Sequence, residues 1–284
     1  MNNINNISPS DNSFLNRLKN IDKPPKKLWY LGNLPENRTS VAIVGSRKPT
    51  NYGRAITVEL ASTLAKRGVI IVSGLAIGHD SLAQRACLEA GGTTIGVLAN
   101  GLDTIYPASN TQLARQIIAQ GGALISEYPP ATPIFKHQFL ARNRLVSGLA
   151  DLLIIVEAGE RSGTLNTASH ALNQGCDIMA VPGNITSPLS YGCNKLIAQG
   201  ATPVLSVHDV LAKLNLDEVT SPSVIHFNSP LEKQIYQLIC NGVSSGDELI
   251  NQTKAEISQF NIAMTMLELG GYIQSLGANN WAKL

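Results

Sequence analysis

From Val41 onward, short β-branched apolar runs alternate with longer segments of helical period, a pattern that parallel strands joined by crossover helices satisfy. The strand candidates are VAIVG ending at Gly45, VIIVS ending at Ser73, TTIGVL ending at Leu98, ALISE ending at Glu127, LLIIVE ending at Glu157, IMAV ending at Val181 and TPVLS ending at Ser206. Their continuous apolar character requires cover on both faces of the sheet. Between the first two, Ile56, Leu60 and Leu64 place one apolar stripe toward the sheet, and Gly68 ends that helix. Similar helices fit 81–90, 110–120, 139–149, 165–174 and 190–199. The reading is an α/β protein with a doubly wound parallel sheet, and in such sheets ligands sit outside the carboxyl ends of the strands.

The pattern holds from 41 to 216 and then breaks. Residues 217–228 fall in a polar, proline-containing stretch that reads as a linker, and residues 229–284 form a second domain. There Leu231, Ile235, Leu238 and Ile239 mark one helix, 246–252 a second and 257–269 a third, followed by a GG turn and a hairpin in YIQSLGANNWAKL. Three helices and a hairpin make a winged-helix-like arrangement. Residues 1–40 read as a short basic N-terminal extension.

Net charge is only +2, but its distribution is uneven. From Phe14 to Arg54 nine Lys or Arg face two acids, a basic stretch suited to a polyanion. The small domain is the reverse, with Lys233, Lys254 and Lys283 against Glu232, Asp247, Glu248, Glu256 and Glu268, and its third helix carries no Lys or Arg. A duplex reader needs phosphate anchors, so that domain is expected to serve protein contacts or to steady a dimer. The start, MNNINNISPSDNS, lacks a signal peptide's apolar core, and no run approaches the ~20 apolar residues of a membrane span, so a cytoplasmic protein without membrane association is expected. Cys87, Cys176, Cys193 and Cys240 lack metal-ligand spacing and read as small core residues; neither a metal nor a cofactor is expected.

Three glycine-rich junctions fall at strand carboxyl ends. VAIVGSRKPTNYG offers Gly45, Ser46 and Arg47; SGLAIGHD offers Ser73 and Gly74, with Gly78 beyond; VEAGERSGTLNTA offers Ser162, Gly163 and Thr164 at a helix start. Unpaired N–H groups at a helix N-terminus stabilise an anion. The spacing is not GxGxxG, no acid ends the second strand, and no GK[ST] follows, which speaks against dinucleotide and P-loop readings. In PIFKHQFLARNRL the cations Lys136, Arg142 and Arg144 interleave with Phe135 and Phe139, the combination that serves single strands: charge for phosphates and rings for bases. The alternative places Phe139 in the core and both arginines in structural ion pairs. His79 and Asp80 are adjacent and so do not face each other as a catalytic pair. No GxSxG, HExxH or Cys/His arrangement appears, so a binding protein is favoured over an enzyme, with no catalytic residue assigned.

These stretches, with GLDTIYPASN, LISEYPP, FLARNRLVSGLADLLIIVE, VPGN and GCNKLIAQGA, resemble the DprA/Smf DNA-processing family from about Val41 to Leu214, and PPKKLWYLGN upstream resembles it too. The resemblance implies an extended Rossmann-like fold that binds single-stranded DNA, acts in natural transformation and recombination, delivers the strand to the RecA recombinase, and works as a homodimer. Family contacts carried onto matching positions are Gly45, Ser46, Arg47, Lys136, Phe139, Ser162 and Gly163. His79 and Asn166 depart from the family pattern. The competing reading is a nucleotide phosphoribohydrolase of the lysine-decarboxylase-like Rossmann group, which this chain resembles only around SGTLNT, without the PGGxGT-plus-acid pattern.

Overall fold

The computed structural model describes residues 4–216, 227–277 and 279–283. They form two compact units divided near Asp217, so most of the expected linker, 217–226, lies outside the described residues.

The large unit is built on nine strands: β1 (Asn5–Ile7), β2 (Leu28–Gly32), β3 (Ser40–Val44), β4 (Ile70–Ser73), β5 (Thr94–Leu98), β6 (Ala123–Ser126), β7 (Leu152–Ile155), β8 (Asp177–Ala180) and β9 (Thr202–Pro203). Their spatial order is β1-β2-β6-β5-β4-β3-β7-β8-β9. From β6 to β9 every pairing is parallel, and Val41 of β3 sits opposite Ile71 on one side and Leu152 on the other. Helices α1 (Asn51–Lys66), α2 (His79–Glu89), α3 (Thr111–Ala119), α4 (Lys136–Gly148), α5 (Gly163–Asn173), α6 (Tyr191–Ala198) and α7 (Val207–Lys213) complete it. Alternation along β3 divides its side chains between two cores. Val41 and Ile43 join Leu60 and Leu64 of α1 on one face, while Ala42 and Val44 join Leu145 and Val146 of α4 on the other. Each fully buried Leu or Ile contributes about 1.5–3 kcal/mol, which is why the strands carry no alternating polar face.

The boundary expected at residue 40 is not where the structure divides the chain. β1 and β2 extend the sheet antiparallel beside β6, and a 3-10 segment, Leu15–Asn20, sets Phe14, Leu15, Leu18 and Ile21 into the core that holds Leu145 and Leu149. Part of the basic charge there is already committed. Arg17 donates to Ser40 Oγ (2.7 Å), the Leu149 carbonyl (3.0 Å) and Asn37 Oδ1 (2.6 Å), and pairs with Asp151 at 3.3 Å. Three further bounds differ. The last strand shrinks to Thr202–Pro203, with Leu205 exposed. α7 follows it, capped by Ser206 and Asp209. α4 starts at Lys136 rather than at 139, so Lys136 lies in its first turn rather than in a preceding loop.

The small unit contains α8 (Pro230–Cys240), α9 (Gly246–Thr253), α10 (Ile257–Leu269) and the hairpin β10 (Ile273–Gly277) with β11 (Asn280–Lys283). Ile235, Ile239, Leu249, Phe260, Met264, Leu267 and Ile273 form its own core. This is the winged-helix arrangement anticipated from the pattern.

Candidate nucleic-acid interface

Strand order reverses at β3, with β4 on one side and β7 on the other, and the crevice of a doubly wound sheet opens at that point. A cleft of about 550 Å³ lies there, between the loops after β3, β4 and β7 and the start of α4. Nine of the twelve residues singled out from sequence line it: Gly45, Ser46, Arg47, Gly74, Phe139, Arg142, Ser162, Gly163 and Thr164. The loops interlock closely. Gly78, at φ +89°, presses on the β3–α1 turn so that a Cβ would fall 2.3 Å from the Ser46 carbonyl oxygen, and the His79 N–H donates to that oxygen at 3.3 Å.

The three helix starts are not equivalent. At α1 the Thr50 N–H donates to Glu157 Oε2 at 3.0 Å and the Thr50 hydroxyl caps the Gly53 N–H, so the positive end of that dipole already faces a carboxylate. The first turn of α2 carries Asp80, which accepts the Gly74 N–H at 2.9 Å. Only α5 is left open to an outside anion. Ser162 caps Thr164 at 3.2 Å, and a Cβ on Gly163 would point into open space. The sequence reading takes the β3–α1 and β7–α5 turns alike as helix starts open to a phosphate; in the structure the α1 start already faces Glu157, and its turn presents the exposed Arg47.

Arg47 is exposed, with its guanidinium carbon 5.9 Å from the centre of the Phe139 ring, and it forms no ion pair among the described residues. Phe139 is half-buried against Tyr106, ring centres 5.5 Å apart, while Phe135 is 51% exposed and stacked on His137 at 5.7 Å. Arg142 is different. It is buried, and Nη1 donates to the carbonyls of Gly74 (2.6 Å) and Val97. Burial pulls its pKa down to about 10 against the opposing pull of Asp80, and burial raises that of Asp80 against Arg142. The pair is a wall of the cleft rather than a mobile cation for phosphates.

Three predicted residues stand elsewhere. Ser73 is buried and donates to the Ile43 carbonyl at 2.7 Å. Arg144, two residues beyond Arg142, points to Glu127 and holds both its oxygens at 2.7 and 2.8 Å, the structural ion pair kept open as the alternative. Lys136 is exposed in the first turn of α4 but does not line the cleft. Among the lining residues not singled out, two polar ones bear on the site. Arg161 is exposed and without an ion pair among the described residues, and its signal was adjacency to the Ser162–Thr164 turn. Asn143 reaches Asn166 Oδ1 at 3.2 Å and the Gly163 carbonyl at 3.4 Å, bracing the start of α5; it offered no sequence signal beyond its place between the two arginines.

Residues 5–215 match the family model of the DNA recombination-mediator protein A, and residues 221–279 match the DprA winged helix domain. The chain is 41% identical over 213 residues to the DNA processing protein DprA of Bacillus subtilis, covering 74% of this chain and 71% of that one. It spans 66% of the length of protein Smf from Escherichia coli, with 38% identity over 245 residues and 83% of this chain covered; its span of the related DprA protein from Mycobacterium tuberculosis is likewise 66%. Among solved structures it is similar to DprA of Streptococcus pneumoniae (TM-score 0.67, 38% identity, 74% of each chain). It is also similar to DNA processing protein A of Helicobacter pylori, described for its single-stranded DNA binding mode (TM-score 0.65, 36% identity, 70% of this chain and 91% of that one). A parallel sheet reversing at β3, a cleft with free arginines there and a separate winged-helix unit, together with these matches, make the chain a member of the DprA/Smf family of DNA recombination-mediator proteins.

Proposed function

We propose that the chain binds single-stranded DNA along the carboxyl edge of its large sheet, without chemistry, and hands the strand to the RecA recombinase in natural transformation or recombination. The observation that carries this reading is the cleft itself: Arg47 and Arg161 without ion pairs among the described residues, an open helix start at Gly163, and the partly open ring of Phe139, with Phe135 exposed at the head of α4. Cations that track a backbone beside rings that stack bases suit a single strand, whose bases are free to leave the stack. The H. pylori relative's single-strand binding supports it, and delivery to RecA and pairing into a homodimer rest on family membership.

The same geometry disfavours a phosphoribohydrolase. Asp80 is the acid lining the cleft, and it is buried and bonded to Gly74, so no carboxylate is poised there toward a glycosidic bond.

Matched single- and double-stranded oligonucleotides, titrated at one stated salt concentration, test the proposal, because phosphate contacts make affinity steeply salt-dependent. Single strands bind at least about tenfold more tightly, nucleoside monophosphates release no free base, and the full chain sediments as a dimer at micromolar concentration. Equal or better duplex binding overturns it.

A further inference from the structure

Beneath the cleft lies a buried network on which the binding surface above it depends. His79, Glu157 and Thr57 are all buried, and each comes from a different segment: His79 from the start of α2, Glu157 from the loop that follows β7, and Thr57 from α1. His79 Nε2 is 3.0 Å from Glu157 Oε2, and Nδ1 is 2.6 Å from the Thr57 hydroxyl. A carboxylate only accepts, which assigns a ring proton to Nε2, while the Thr57 hydroxyl, 2.7 Å from the Gly53 carbonyl as well, shares its one proton between that oxygen and Nδ1. Burial holds the imidazole's pKa below its ordinary value, with Glu157 pulling the other way.

Glu157 is shared between this ring and the β3–α1 turn. Besides Nε2 it accepts the Thr50 N–H at 3.0 Å and the Thr50 hydroxyl at 2.5 Å. The ring packs closely against the turn's other end, since a Cβ on Gly45 would lie 2.4 Å from His79 Cδ2. On α1, a Cβ on Gly53 would fall 2.5 Å from the Glu157 carboxyl carbon. The turn from Gly45 to Thr50 is thus gripped at both ends by these two side chains, and it carries Arg47 at its exposed apex. Neither His79 nor Glu157 lines the cleft.

We infer that His79 and Glu157 are positioning residues for the DNA backbone: gripping Gly45 and Thr50, they fix the turn so that Arg47 stands beside Phe139 where a phosphate of the strand arrives. This rests on the single-strand reading above. The physical cause is the difference between an ordered and a searching cation. An arginine on a fixed turn meets the phosphate without first losing the freedom of a loose loop, and two discrete hydrogen bonds plus a close-packed ring leave the turn little room to move.

The test is a double-mutant cycle on a fluorescent oligothymidylate, with salt dependence recorded for each protein and a thermal melt beside it. His79→Leu weakens binding about tenfold and lowers the salt slope by about 0.7, one single-strand phosphate contact, as Arg47→Ala does. Added to Arg47→Ala it costs less than about twofold, because the cation it positions is already gone. His79→Gln, whose amide reproduces the Nε2 donor, restores most of the lost affinity. Glu157→Gln keeps the shape and weakens the grip on the ring, and it carries the same cycle should His79→Leu fail to fold. Additive losses in the two arms, or an unchanged salt slope in a folded variant, overturn the positioning role while leaving single-strand binding standing. A wild-type protein that retains no oligothymidylate at low salt overturns both.

Discussion

At the cleft of the large unit two arginines, Arg47 and Arg161, stand exposed without a carboxylate, beside rings that are partly open. On α10 of the small unit, the helix a winged helix lays in a major groove, the exposed side chains include Ile262, Met266 and Leu269 at successive turns, 61%, 45% and 78% exposed, beside the uncharged Gln259, Asn261 and Thr265, with no Lys or Arg along the helix. The fold associated with duplex reading carries no cation on that helix, while the fold associated with nucleotides presents exposed arginines at its edge. Affinity for DNA follows neutralised phosphates rather than architecture, so the two units are separated by where their cations are free.

Substitutions break that contrast in descending order of effect. Arg142→Ala is the most damaging, although it removes a cation from the cleft wall: it strips Asp80 of its buried counter-charge and leaves the Gly74 and Val97 carbonyls without their donor. Unfolding in urea registers a loss of about 3–5 kcal/mol, the cost of breaking a buried pair from one side. Next come the paired variants at the rim. Phe139→Ala lowers affinity by about 1–3 kcal/mol with the salt slope unchanged, the mark of a stacked base. Arg47→Ala lowers it by about 1.4 kcal/mol and reduces the slope by about 0.7, the mark of a phosphate contact. Arg144→Ala alters neither slope nor single-strand preference, because its charge is spent on Glu127; a slope change there means the ion pair opens to DNA. The smallest effect belongs to the small unit. A chain ending at Leu216 retains single-strand affinity within about threefold, and a tenfold loss erases the distinction between the units.

The parallel sheet was legible because each strand is buried on both faces, so VAIVG and LLIIVE read as unbroken apolar runs. The cleft was legible as glycine-rich breaks at strand ends. Two things were not. The segment from Phe14 to Gly32 reads as a basic extension because its buried side chains, Phe14, Leu15, Leu18, Ile21 and Leu28, are interleaved with Arg17, Lys19 and three further lysines, and a 3-10 turn gives no helical period. Nor does composition tell a free cation from a committed one. Arg142 and Arg144 look alike in ARNRL, yet one bonds carbonyls beneath the cleft and the other a glutamate away from it. Glu157 stayed hidden for the same reason, since a strand-end acid gives no sign that it caps a helix starting a hundred residues earlier.

The place of β2 in the sheet has a consequence for how the molecule is made. Leu28–Gly32 is synthesised well before Ala123–Ser126, the parallel sheet's edge against which it lies, and Phe14 and Leu18 likewise share a core with Leu145 and Leu149 from far downstream. On the ribosome residues 14–32 emerge before β6 and α4, against which they pack, and loop closure over that span precedes most of the reward from burial. Their apolar side chains therefore remain accessible to chaperones through most of the translation of the large unit, and a fragment that begins at Val41 would carry a permanent groove along β6 and α4 where they belong.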